Sequence, residues 1–205
     1  MKKTLKRVSI ILVTVAMSVG LCVGLAACGS SASNDEQMIR SELDKAFGTL
    51  KNPTEDSIKE LTGGDLSDLD EMKQYGVDPI DMIKHLFGKF DYSIDNVKVD
   101  GDKAVATVTM TNVDIQAVVN ETMSTLENDS DFIAQVQQAY TSGSMTDAYK
   151  LVFDKMFEAI DNSDKLVTST SDFELEKKDG QWDFTDEAQQ QLVHDLFGGM
   201  DLTNM

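Results

Sequence analysis

Over residues 35–50 the apolar positions Met38, Ile39, Leu43, Ala46 and Phe47 recur every three or four residues, the period of one helix face. Pro53-Thr54 opens a second, short helix with Ile58 and Leu61 turned inward, and Gly63-Gly64 breaks it. Leu66, Leu69 and Met72 suggest a further turn or two. Asp78-Pro79 couples a capping carboxylate to proline at the first helical position, a start signal. The stripe Ile80, Ile83, Leu86 and Phe87 follows, and Gly88 ends it.

The period then changes to two. Phe90, Tyr92 and Ile94 alternate with polar residues, and Val97 and Val99 do so one step out of phase. Asp100-Gly101 is a hairpin signal, and Ala104, Ala106, Val108 and Met110 alternate on the return. A two-residue loop at that signal pairs Val97 with Ala104. The phase slip demands one extra residue, so a β-bulge is predicted at Asp95 or Asn96, with Ile94, Tyr92 and Phe90 facing Ala106, Val108 and Met110. Thr107, Thr109 and Thr111, opposite Asp91 and Ser93, read as the wet face.

Helical periodicity returns with Asp114 as cap for Ile115, Val118, Val119, Met123 and Leu126, then with Phe132, Ile133, Val136 and Tyr140. Ser144-Met-Thr-Asp147 reads as a capping box. It opens the most apolar stripe of the chain, Met145, Ala148, Tyr149, Val152, Phe153, Met156, Phe157 and Ile160, which is expected to be core. A second hairpin turns at Asp179-Gly180 and sets Leu175 against Phe184 and the Lys177 stem over Trp182, with Glu174, Glu176 and Asp183 on the wet face. Thr185 caps a last helix carrying Ala188, Leu192, Leu196 and Phe197, stopped by Gly198-Gly199. Both hairpins are apolar on one face only. The expected fold is therefore α+β: a curved antiparallel sheet built from the two Asp-Gly hairpins and packed on one face by several helices.

Charge narrows the function. The chain carries 36 acidic and 18 basic residues, a formal net charge of −18, which excludes a general binder of phosphate backbones. Four of the basic residues, Lys2, Lys3, Lys6 and Arg7, precede an uncharged apolar run over 8–27, the layout of an export signal. That run ends Leu25-Ala26-Ala27-Cys28, which resembles the lipobox of bacterial lipoproteins. The resemblance implies diacylglyceryl transfer to the Cys28 sulfur and cleavage before it. The expected organisation is a signal peptide over 1–27, a lipidated cysteine and flexible tether over 28–34, and one α+β domain over 35–205. The tether residues 29–34 give a reach of about 13 Å. Loss of the leader leaves 14 basic residues against 36 acidic ones, a net −22, and no cysteine besides Cys28, so the domain has no disulfide and is held by its core alone. The expected location is the extracytoplasmic face of the cell membrane, held there through the lipid on Cys28.

The order of elements also carries a resemblance. A lipobox, helices, the hairpin over 97–108 and the hairpin Phe173-Glu-Leu-Glu-Lys-Lys-Asp-Gly-Gln-Trp-Asp-Phe184 are similar to lipoproteins whose domains are like nuclear transport factor two. Their hallmark is an Asp-Gly-Lys-Trp hairpin near the C-terminus, and Gln181 stands here where lysine is common. The resemblance implies a curved sheet wrapped around helices in a cone with a pocket at its wide end. It implies no catalytic residue. The long helical stretch over 114–162 exceeds what simpler members need.

Candidate chemistry is sparse. His85 lies four residues after Asp81, the spacing of a helical ion pair, and His194 lies beside Gln190, Gln191 and Asp195. There is no Gly-x-Ser-x-Gly elbow for a serine nucleophile. The acidic groups Asp65, Asp68, Asp70 and Glu71, and Asn128, Asp129 and Asp131, lack the alternation and central glycine of a calcium loop, and the second reads as a helix start. No metal or cofactor is expected. Tyr92, Met110, Phe173 and Trp182 fall on the inner sheet face, where they are the candidates to line a pocket. The expectation is a non-catalytic binding or interaction module for an envelope protein, a peptide or a small apolar ligand. The alternatives are an isomerase- or hydrolase-like enzyme using a carboxylate buried in the cone, and a structural spacer of the envelope.

Overall fold

The computed structural model describes residues 32–61 and 71–200. The leader, Cys28, the Gly63-Gly64 break, Leu66, Leu69, and the acidic positions Asp65, Asp68 and Asp70 lie outside the described residues.

Among the described residues four helical pieces come first: α1 (Ala32–Lys51), α2 (Glu55–Leu61), a 3-10 turn (Glu71–Tyr75) and α3 (Pro79–Phe87). The strands β1 (Asp91–Asp100) and β2 (Lys103–Val113) follow, then α4 (Ile115–Leu126), α5 (Ser130–Thr141) and α6 (Met145–Asn162). The chain closes with β3 (Leu166–Lys178), β4 (Gln181–Phe184) and α7 (Asp186–Leu196). Helix α1 takes in Ala32, Ser33 and Asn34, so part of the stretch expected as tether is its first turn.

The caps explain where helices begin. Asp78, Asp129, Asp114, Ser144 and Thr185 each accept from a backbone N–H of the turn that follows. Asn128-Asp129 is thus a helix start, as its sequence reads.

The strands form one antiparallel sheet in the order β1-β2-β3-β4. Asp95 is the bulge, since Ile94 pairs with Val108 and Asn96 with Thr107. The register of the first hairpin differs from expectation by two residues: Val99, not Val97, faces Ala104, and Ile94 and Tyr92 face Val108 and Met110. Its loop residues are Gly101 and Asp102, because Gly101 supplies the left-handed φ of +63° while Asp100 stays paired with Lys103. In the second hairpin Leu175 faces Phe184 and Lys177 faces Trp182, as the sequence predicts. Asp179 and Gly180 both take positive φ there, +53° and +83°, as a type I′ loop requires.

One face of the sheet is covered by α1, α3 and α7. Val97, Ala104, Ala106, Val108, Met110, Phe173, Leu175, Trp182 and Phe184 are buried there against Ile39, Leu43, Phe47, Leu86, Phe90, Leu192 and Leu196. The other face carries hydroxyls bonded to one another and to carboxylates. Thr109 donates to Asp95 at 2.6 Å and pairs with Thr170 at 2.8 Å, and Thr107 donates to Asp172 at 2.6 Å.

Helices α4–α6 form an arm beside this sandwich. Helix α6 packs on α3, α4, α5 and the 3-10 turn, not under the sheet. Its broad apolar stripe is therefore only partly core: Ala148 and Ile160 are buried, while Tyr149, Val152, Phe153, Met156 and Phe157 are half-buried and Met145 is exposed. The arm leaves and rejoins the sheet at one point, where the Asp114 N–H donates to the Lys165 carbonyl at 2.9 Å.

Candidate functional site

The four residues expected to line an inner pocket part company. Met110, Phe173 and Trp182 are no more than 1% exposed and belong to the packed core under the sheet. The Trp182 indole N–H has no hydrogen-bond partner among the described residues. Tyr92, half-buried, lines a surface groove.

That groove, about 540 Å³, lies between α1 and the outer strand β1 and includes Arg40, Asp44, Lys51, Asp91, Tyr92 and Ile94 in its lining. Its polar groups are matched to one another. The Tyr92 hydroxyl donates to the Asp44 carboxylate at 2.8 Å, Lys51 pairs with Asp91 at 2.7 Å, and the Arg40 guanidinium donates to the Ile94 carbonyl. Burial, helped by the neighbouring Asp44 carboxylate, pushes the Tyr92 hydroxyl up to about 12. The Lys51 ammonium holds Asp91 below the usual carboxylate range. A phenol that keeps its proton so firmly is a poor acid-base group at neutral pH. Its visible work is structural: the ring packs on Phe47, with centroids 5.2 Å apart.

A larger groove, about 700 Å³, lies at the neck of the arm. Val118, Leu126 and Ala159 supply apolar floor from α4 and α6. Glu121, Asp129, Lys155, Glu158, Asp164 and Lys165 supply the charged rim. Lys165 from the entrance to β3 bridges to Glu121 of α4 at 2.6 Å, and Lys155 bonds Glu158 at 2.7 Å. The hydrogen bond to Glu158 raises Lys155 above its ordinary range. The Asp129 carboxylate is already engaged with the N–H groups of Asp131 and Phe132. The floor can take apolar side chains and the rim can orient charged or amide groups. Sequence reading missed this groove, because its walls come from segments brought together only by the closure of the arm. Its local signals are the Asp114 cap that starts α4 and the Asp129 cap, on the groove itself, that starts α5.

The histidines take other partners than their spacing suggests. His85 stacks on Phe157 with centroids 4.5 Å apart and sits 2.9 Å from Asp161 of α6. Asp81 turns instead to Lys84 at 2.9 Å. His194 lies 3.3 Å from Asp195, which is 5% exposed. Gln191 donates to one Asp195 oxygen at 3.0 Å, and the other is buried without a partner among the described residues. A second buried carboxylate, Asp35, pairs with Lys177 at 3.0 Å, and the Lys177 ammonium stands 5.4 Å from the Trp182 ring centroid. Periodicity gave no sign of either buried acid.

Among the described residues no group of three or more His, Cys, Asp or Glu side chains is placed to hold a metal ion. Among them, too, no helix is long and apolar enough to cross a membrane. No family model, no curated protein and no solved structure matches this chain.

Proposed function

We propose that this chain is a lipid-anchored extracytoplasmic lipoprotein that acts as a non-catalytic interaction module, taking a peptide segment of an envelope protein into the groove at the neck of its helical arm. The observation that carries this reading is that groove: an apolar floor of Val118, Leu126 and Ala159 beneath a rim in which Lys165 pairs with Glu121 and Lys155 with Glu158, while Asp129 caps α5 and Asp164 stands exposed. Such a rim, with two more carboxylates than lysines, suits amide or basic groups, and an open cleft suits a chain segment better than an enclosed small molecule. The anchor rests on Leu25-Ala26-Ala27-Cys28 and the basic leader before it. The kinship with lipoproteins like nuclear transport factor two belongs to the same reading, supported by a curved antiparallel sheet with helices on one face.

The test is site-specific photo-crosslinking of the full chain in its native membrane. A photoreactive residue at Thr122 or Ala159 should yield a discrete protein adduct, and one at Thr109 on the sheet's outer face should not. Equal adducts at all three positions, or none, would refute the groove as the binding site.

One observation favours an enzyme instead: the buried Asp195 carboxylate beside His194. It stands in neither of the two grooves described above. Turnover of any substrate that vanishes in Asp195→Asn while the fold persists would establish that reading.

A further inference from the structure

A lipid on Cys28 would hold the domain through the N-terminus of α1, which lies at one end of the sandwich. Helix α1 begins at Ala32, and its first turns are tied to the second hairpin through the Asp35–Lys177 pair at 3.0 Å. The Lys177 N–H donates to the Asp102 carbonyl at 2.9 Å, which joins the tips of the two hairpins. The other end of α1 lies at the opposite edge, where Lys51 pairs with Asp91 at the start of β1. The α1 N-terminus and both hairpin tips therefore share one end of the sandwich. The opposite end, with Thr111, Asp164 and Leu166, is separated from the tips by the length of β2, about 33 Å at ~3.3 Å per residue.

Four residues of chain span the distance from Cys28 to Ala32, at most about 14 Å fully extended. A lipid on Cys28 cannot leave the far end at the bilayer unless the whole domain lies on its side. Charge argues against that posture. Without its leader the chain carries −22, from 14 basic and 36 acidic residues, and an anionic leaflet repels such a surface within about 8 Å at physiological salt. The tips carry little of that excess: in 98–103, Lys98 and Lys103 match Asp100 and Asp102, and in 176–181, Lys177 and Lys178 match Glu176 and Asp179, while Asp35, paired with Lys177, and Glu36 of the adjoining α1 turn leave this end two acidic groups in excess.

Building on the lipidated reading above, we propose that the hairpin tips 98–103 and 176–181 are the membrane-facing end of the domain and rest against the phospholipid headgroups around the Cys28 lipid. The neck groove, beside Lys165 and Asp164, then points away from the bilayer, toward partners in the envelope.

The chain supplies its own control, because a thioether at Cys28 leaves the mature protein without a free thiol. The full chain is purified from membranes with its lipid, labelled with a maleimide fluorophore, and reconstituted into phosphatidylcholine vesicles containing phosphatidylglycerol and a headgroup quencher. The parent chain should take no label. Asp102→Cys should be quenched and Asp164→Cys should not; Gln181→Cys is the second tip position should the first variant fold poorly. Lys103→Glu with Lys178→Glu should reduce the quenching at position 102. Equal quenching at both ends, or stronger quenching at 164, overturns the orientation while an unlabelled parent leaves the anchor standing. Labelling of the parent at Cys28 overturns the anchor, and the orientation with it.

Discussion

The side-chain amide of Asn112, fully buried at the end of β2, donates to the Leu196 carbonyl at 2.7 Å. The same nitrogen donates to the Leu86 carbonyl at 3.1 Å, and the amide oxygen accepts the Val113 N–H at 2.8 Å. One residue thus satisfies the ends of α3 and α7 and fixes both to the sheet. Asn112→Ala leaves buried backbone groups unpaired and should cost about 1–3 kcal/mol. Urea unfolding should show a lower midpoint at an unchanged slope.

The Tyr92 hydroxyl should ionise late. Its folded-state value of about 12 exceeds the ordinary 10.0, so its proton adds stability in full below pH 10, and that contribution is lost as pH rises toward 12. A spectrophotometric titration, with Tyr92→Phe as the difference, should show one phenolate appearing only near the top of that window. Asp44→Asn should lower the value only in part, because burial is the larger cause.

The Asp35–Lys177 pair should couple more strongly than a surface pair. Its side chains are 7% and 20% exposed, against 61% and 54% for Asp81–Lys84. A double-mutant cycle with Asp35→Asn and Lys177→Met should give a coupling of about 1–3 kcal/mol. The Asp81–Lys84 cycle should give about 0.5 kcal/mol or less. Equal couplings would show that burial adds nothing at this site.

Gly198 should resist replacement. A Cβ there would stand 2.2 Å from the Val113 carbonyl oxygen, on a residue with φ of +63°. Gly198→Ala forces the α7 terminus off the sheet and should fold poorly. Gly143→Ala, with φ of +84° and open space around it, should cost only the backbone penalty of about 1–2 kcal/mol. Thermal unfolding of the two variants separates a clash from a conformational preference.

Cys28→Ala should abolish metabolic incorporation of a clickable fatty acid and either release the chain from the membrane or leave its leader uncleaved. A cleaved product that remains membrane-bound without label would refute lipidation.

Local signals were the readable part of this fold. Asp78-Pro79, Asp114, Asp129, Ser144 and Thr185 marked helix starts because a cap is a bond between near neighbours in sequence. The phase slip between Ile94 and Val97 marked the bulge at Asp95, since alternation leaves a strand no other way to keep both runs on one face. The first hairpin's register was misread because Asp-Gly names a turn without saying which of its residues is paired; the conformation of Gly101 decided it.

Longer-range facts were not readable. The α6 stripe looked like core because periodicity counts apolar residues and not the surfaces that meet them. The His85–Asp161 contact and the neck groove join residues far apart in the chain, and Asp35 and Asp195 are buried by elements that close over them. No single-segment pattern encodes those meetings.

The bond from Asp114 to Lys165 has a consequence for how this architecture can vary. Val113 and Leu166 already face each other across the β2–β3 ladder, so the ends of the arm are a hairpin's width apart. A segment that departs and returns at one rung can be lengthened, swapped or grafted without changing strand order, and loop closure grows only slowly with its length. The sheet is the chassis, to which Ile115, Val118 and Ile160 tie α4 and α6 through the core; α5, which packs on α6, is the part of the arm free to diversify while the chassis keeps its register.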